Sequence, residues 1–212
     1  MIRRLTFIAA LAAAAVLPGP AMEGATAQDA APACASEVWL APVSVGTDSS
    51  ATPPAQVSES APAWLSTDLT DACSGETFAL VDFAGKTLYI ESMATWCPNC
   101  HGQLTRLQEA VATLPEEQRE EIVFVALSTE GELPREDLAA YAATNEFPFI
   151  FAVMPADMLR AMADDFGQEI AVPPAMPYLI VAPDGTVGDL HTGGSSVEEL
   201  LALFAETLPA AS

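Results

Sequence analysis

The stretch that most constrains this chain is KTLYIESMATWCPNC, residues 86–100, an apolar β-rich run that leads into Trp-Cys-Pro-Asn-Cys. After it, Leu104, Leu107, Val111 and Leu114 recur at helical spacing, so the two cysteines fall where a strand gives way to a helix. Residues i and i+3 of a helix lie about 5–6 Å apart, inside the Cα separation that a disulfide tolerates. Cys97 and Cys100 have that spacing. The same letters, followed by His101, also satisfy the Cys-x-x-Cys-His rule for a covalent c-type haem, which would consume both sulfurs and use His101 as an axial ligand. A metal site of Cys97, Cys100 and one His is a third reading.

The chemistry of a cycling dithiol assigns different roles to the two thiols. A thiol at a helix start sits beside free backbone N–H groups and the positive end of the helix dipole, which lowers its pKa. A drop from about 8.5 to about 7 raises the thiolate fraction at neutral pH from roughly 3 per cent to roughly half. Cys97 is therefore the expected nucleophile and Cys100, one turn inside, the resolving thiol. Pro98 suits a first helical turn, having no N–H to waste and a φ already near helical. Glu91 lies six residues before Cys97 within the apolar run, where period two puts it on the side of Met93 and Thr95. A carboxylate in a central strand is expensive unless it has a partner or a task; the alternative is an exposed acid at a frayed strand end.

The rest of the chain decides between the readings. Residues 1–27 read as an export signal: Arg3 and Arg4, the apolar run Leu5 to Leu17, then Ala25-Thr26-Ala27 as a small-x-small cleavage site. Export to an oxidising compartment, a bacterial periplasm, follows. Residues 28–63 read as a flexible leader rich in Ala, Ser and Pro, and 64–212 as one domain. With 29 acidic against 7 basic residues the formal charge is −22, which repels phosphate backbones and anionic membranes and argues against nucleic acid as a partner. Four cysteines allow three pairings; the close pair leaves Cys34 with Cys73 as a structural disulfide, or as two free thiols.

From Trp64 onward strands and helices alternate. WLSTDL and ETFALVDF read as a hairpin, KTLYIES and IVFVALS as buried strands, and FPFIFAV as a further strand. PREDLAAYAATNEF and PADMLRAMADDFG read as helices. YLIVA and TVGDL read as a second hairpin around Pro183-Asp184-Gly185, and SSVEELLALFAETL as a Ser-capped terminal helix. The expected fold class is α/β, a central mixed β-sheet flanked by helices with an N-terminal β-hairpin extension.

Over 64–208 the chain resembles the thioredoxin-fold family, and within it the exported TlpA/ResA-like thiol-disulfide oxidoreductases that include the reductants of cytochrome c maturation. The residues carrying the likeness are Gly85-Lys86, Ala94 to Cys100, Met176-Pro177 and Pro183-Asp184-Gly185. The resemblance implies a thioredoxin fold and disulfide exchange with exported protein thiols, as a monomer recharged by a membrane electron donor, with no cofactor, haem or metal. It also implies that Glu91 relays the proton of Cys100, that Trp96 belongs to the partner-docking surface, and that Met176-Pro177 forms a cis-proline loop pairing with an extended substrate. Pro173 and Pro174 are rivals for that loop, but only Pro177 immediately precedes a strand. A thiol oxidase or isomerase, and a copper-delivery protein, are the alternatives. His191 is expected to be structural.

Overall fold

The computed structural model describes Cys34, Ser58 and residues 60–208. The expected signal at 1–27 lies outside the described residues, as does most of the expected leader at 28–63.

Four strands form the central sheet: β3 (Thr87–Met93), β4 (Ile122–Ser128), β5 (Ile150–Val153) and β6 (Tyr178–Val181), in the order β5-β4-β3-β6. β3 runs parallel to β4 and antiparallel to β6, and β4 runs parallel to β5. β3 and β4 are buried along their whole length, which is why both read as continuous apolar runs. Period two sends Tyr89 and Met93 to one face and Leu88 and Ile90 to the other, and each face has its own core.

Helices α1 (Pro98–Thr113), α3 (Arg135–Thr144) and α5 (Val197–Thr207) supply Leu104, Leu138 and Phe204 to the Tyr89 face. Helix α4 (Ala156–Phe166) covers the other face with Met158 and Met162. A short helix, α2 (Glu116–Glu120), precedes β4; it is polar throughout and buries no side chain, so apolar periodicity gives no sign of it. Ser196 caps α5 reciprocally with Glu199, a capping box.

Two expected hairpins are smaller than the sequence suggests. The first reduces to β1 (Leu69–Thr70) and β2 (Thr77–Phe78), because Ala63–Ser66 and Leu80–Phe83 are 3₁₀ turns. A strand would send the adjacent Trp64 and Leu65 to opposite faces, whereas the turn buries both against the α4 side. Trp64 also donates its indole N–H to Asp165 at 2.9 Å. In the second, TVGDL and the following His191 form no strand but meet β6 through isolated bridges, Val181 with Val187 and Tyr178 with His191. Pairing slips by one residue between these bridges, as a bulge does, and this breaks the ladder.

Cys34 and Cys73 are joined by a disulfide with a Cα separation of 5.4 Å. The pair packs against the Tyr89-face core, and closing a loop of 39 residues removes about 4 kcal/mol of chain entropy from the unfolded state.

Candidate active site

The parallel pairing of β3 with β4 ends at Met93 opposite Ser128, so the loops that follow the two strands emerge side by side. One loop, Ala94 to Trp96, enters the cysteine motif; the other carries Glu130. The Thr95 N–H donates to Glu130 Oε2 at 2.6 Å, the Thr95 hydroxyl donates to the same carboxylate at 2.9 Å, and the Ser128 hydroxyl does so at 3.3 Å. Glu130 thus pins the approach to Cys97. It was not among the expected site residues, and its one sequence signal is an acid two residues past the end of a buried strand.

Cys97 is the N-cap of α1 and Pro98 its first residue. The Cys100 N–H donates to Cys97 Sγ at 3.2 Å, so the sulfur occupies the position where a helix start stabilises negative charge. Cys97 and Cys100 are joined in a disulfide with a Cα separation of 5.4 Å. Both are buried, Cys97 at 1% and Cys100 at 0% exposure. The neighbouring Trp96 is 63% exposed and Val172 45% exposed, leaving apolar surface around a covered disulfide. Cys100 Sγ lies 3.1 Å from the Pro173 carbonyl oxygen, a contact that a reduced Cys100 can make as an S–H···O hydrogen bond.

Glu91 is 1% exposed, in register with Ala126 of β4 and Tyr178 of β6. Beneath α1 it packs together with Tyr89, Leu104 and Leu107. The Tyr89 hydroxyl, 3.4 Å away, faces Oε2, while Oε1 has no hydrogen-bond partner. Burial pushes the Glu91 pKa up to about 8, against smaller opposing effects of the Tyr89 hydroxyl and the Arg106 charge. The acid is therefore in the strand interior and not at a frayed end. Burial, with the Glu91 charge adding to it, also holds Tyr89 well above its usual range.

Sequence reasoning also missed the polar group that ties α1 to the chain before α5. Gln103 is completely buried; its Oε1 accepts from the Ser195 N–H at 3.0 Å and from Arg106 Nη2 at 2.9 Å, while Arg106 Nε donates to Ser195 O at 2.7 Å. A Gln one turn after Cys100, on the apolar face, is the signal that could have found it.

Met176 and Pro177 lie beside the site but not in the expected geometry. The described residues contain no cis peptide bond, so Met176–Pro177 is trans. The chain instead turns through Met176 itself, left-handed at φ 51°, after the 3₁₀ turn Pro173–Ala175. The Met176 N–H is committed to Pro173 O at 2.8 Å, and Pro177 O accepts from Ser92 N at 2.9 Å. In this conformation the Met176 N–H is not offered to an extended partner. Between the cysteines, Asn99 Nδ2 donates to Pro174 O at 3.1 Å.

His101 packs on Phe147 at 5.6 Å between ring centroids, and His191 stacks on Tyr178 at 4.8 Å. Among the described residues no group of three or more His, Cys, Asp or Glu is placed to hold a metal ion, and no helix is long and apolar enough to cross a membrane.

The Redoxin family model matches residues 27–203 of this chain. A search of curated proteins finds no match. Among solved structures, a putative electron transport protein from Aquifex aeolicus VF5 is similar at a TM-score of 0.56 and 16% identity, over 74% of this chain and 96% of that one. A thiol:disulfide interchange protein of the thioredoxin family from Chlorobium tepidum TLS is similar at 0.54 and 16%, over 74% and 98%. The exposed lipoprotein thioredoxin of Streptococcus pneumoniae strain TIGR4 is similar at 0.51 and 19%, over 66% and 98%. At these identities the likeness is one of fold, and that fold is thioredoxin-like.

Proposed function

Given that the chain belongs to the Redoxin family and is a thiol-disulfide oxidoreductase with a thioredoxin-like fold, we propose that it works in the periplasm as a reductant of exported protein disulfides. The reading continues to the TlpA/ResA-like group, with apocytochrome c among its clients, a membrane electron donor and a monomeric state. Residues 1–27 are a cleaved signal, 28–63 a leader and 64–212 the working domain. Two of the three similar structures are described as a thiol:disulfide interchange protein and an exposed lipoprotein thioredoxin, which supports exchange with protein thiols outside the cytoplasm.

The observation that carries the proposal is the placement of Cys97 Sγ as N-cap acceptor, bonded to a buried Cys100 above a buried acid. In the reduced enzyme the Cys97 thiolate attacks one sulfur of a client disulfide; an S–S bond forms to Cys97 and the client's other sulfur leaves as a thiolate. Cys100 then loses its proton to Glu91 in its ionised form, the minority form below its pKa of about 8, and attacks Cys97 Sγ. The second client thiolate leaves, the client is reduced by two electrons, and Cys97–Cys100 is oxidised. Trp96, Met176 and Pro177 form the surface where the client docks. Cys34–Cys73 takes no part in exchange and holds the N-terminal segment to the domain.

Direction is tested by equilibrating Cys97–Cys100 against glutathione. A reductant lies well below the oxidase potential of about −120 mV, at about −200 mV or lower; a value in the oxidase range reverses the proposed electron flow.

A further inference from the structure

Glu91 takes up a proton only from its ionised form, and burial works against that form. A carboxylate charged in such a place needs a hydrogen-bond donor, and the side chains around it fix where one comes from. Gln103, fully buried one turn after Cys100 on α1, has its Oε1 occupied by the Ser195 N–H at 3.0 Å and by Arg106 Nη2 at 2.9 Å. A backbone N–H and a guanidinium can only donate, so the oxygen end of the amide faces them and both of its lone pairs are used. Nε2 is the end left for Tyr89. It makes no full hydrogen bond in this conformation, but Gln103 acts on the buried Tyr89 hydroxyl as a donor does, favouring the charged phenol against burial. Tyr89 therefore cannot place its own proton on Gln103. The acceptor that remains is Glu91 Oε2, 3.4 Å away. That distance is long beside the about 2.5–2.7 Å of a hydroxyl bonded to a charged oxygen, which fits a carboxyl that is neutral in this setting.

We infer that Gln103 and Tyr89 are positioning residues in a one-way hydrogen-bond chain, from Arg106 and Ser195 through Gln103 and Tyr89, that keeps a donor on the Glu91 carboxylate. Its direction is set at the half-exposed Arg106, where only the amide oxygen can be received. As Glu91 ionises, the Tyr89 hydroxyl closes on Oε2 and the Gln103 amide closes on the Tyr89 oxygen. The charged form that takes the Cys100 proton thus stays within reach of neutral pH although the site is buried. The other ionisable groups around Glu91 are Tyr178 opposite it on β6, Arg106 on α1 and Tyr141 on α3, with Cys100 joining them in the reduced protein. β4 and α5 contribute the uncharged Ala126 and Phe204. The inference rests on the reading of Glu91 as acceptor of the Cys100 proton, and it names what fits the acid for that task.

The test titrates the Glu91 carboxyl band by infrared difference spectroscopy in the oxidised protein, the band being assigned by its loss in Glu91→Gln. In Tyr89→Phe the midpoint rises by about half a unit to one unit, because a donor to the charged form is gone; a ring that only fills space would leave it in place. Gln103→Glu keeps the acceptor for Arg106 and Ser195 but meets Tyr89 with a second acceptor, which draws the Tyr89 proton away from Glu91. The midpoint rises here too, and by less when Tyr89→Phe is already present. An unmoved midpoint in Tyr89→Phe, or a rise from Gln103→Glu that is as large with Tyr89→Phe as without it, overturns the chain. The reaction is followed by mixing reduced protein with dithiobis-nitrobenzoate. Cys97 attacks one sulfur and releases the first nitrobenzoate thiolate; Cys100 gives its proton to ionised Glu91, attacks Cys97 Sγ and releases the second, so the reagent gains the two electrons that the dithiol loses. Near pH 7 the second release slows about three- to tenfold in Tyr89→Phe and the first keeps its rate. A raised midpoint with an unslowed second release upholds the chain and overturns instead the reading of Glu91 as proton acceptor, so the two failures are distinguishable.

Discussion

At the scale of single residues, the site is an arrangement of two sulfurs and one acid in unlike surroundings. Cys97 sits at a helix start that favours its charged form, while Glu91 sits under α1 in a setting that favours its neutral form, with its pKa pushed up to about 8. Unfolded, Glu91 ionises at its usual value of 4.5, so between about pH 4.5 and 8 the native state holds a proton that the unfolded state has lost. Stability therefore falls as pH rises through that window, by about 1.4 kcal/mol per unit from this group alone. Glu91→Gln removes that contribution. Urea unfolding from pH 5 to pH 8, disulfides intact, should show the variant gaining on wild type as pH rises; a constant difference would show that the acid is not held neutral. Of this arrangement the cysteines and Glu91 were legible, because each stands out in a strand-to-helix junction. Glu130 was not legible, since nothing in LSTEG says that its carboxylate turns back to Thr95.

Among the elements, the long regular pieces could be read and the short irregular ones could not. β3, β4 and the core-facing leucines of α1 announce themselves by unbroken burial or by helical period. The turns at Ala63–Ser66, Leu80–Phe83 and Pro173–Ala175 are local solutions to tertiary packing, which apolar alternation misreads as strand or leaves blank. The trans bond before Pro177 belongs with these, because the left-handed Met176 makes the reversal that the expectation gave to a cis bond. One element-scale tie supports the site from behind: Gln103 joins α1 to Ser195, and the neighbouring Gly193 holds Ala175. Gly194 comes so close that an added Cβ would meet Met176 Cε at 3.3 Å. Gln103→Ala strips the acceptor from the Ser195 N–H and from Arg106. It should cost about 2 kcal/mol of stability in chemical denaturation, from two hydrogen bonds lost by partly buried donors and the space left by a fully buried side chain. A cost below about 0.5 kcal/mol would mean that the tie holds nothing.

For the whole molecule, the account joins a thioredoxin-like sheet, a tethering disulfide at Cys34–Cys73 and a second disulfide at the helix start into one oxidoreductase. The formal charge of −22 opposes contact with phosphate backbones, and in the proposed reading a client docks on the apolar ground around the exposed Trp96. The central claim is that Cys97 attacks and Cys100 resolves. The most direct measurement is to express Cys100→Ala and, separately, Cys97→Ala with export intact, quench with acid, and identify what is held by reducible bonds. The account predicts mixed disulfides between Cys97 and exported cysteine proteins in Cys100→Ala, with few or none in Cys97→Ala. Adducts on Cys100 in Cys97→Ala, with none on Cys97 in Cys100→Ala, would contradict it.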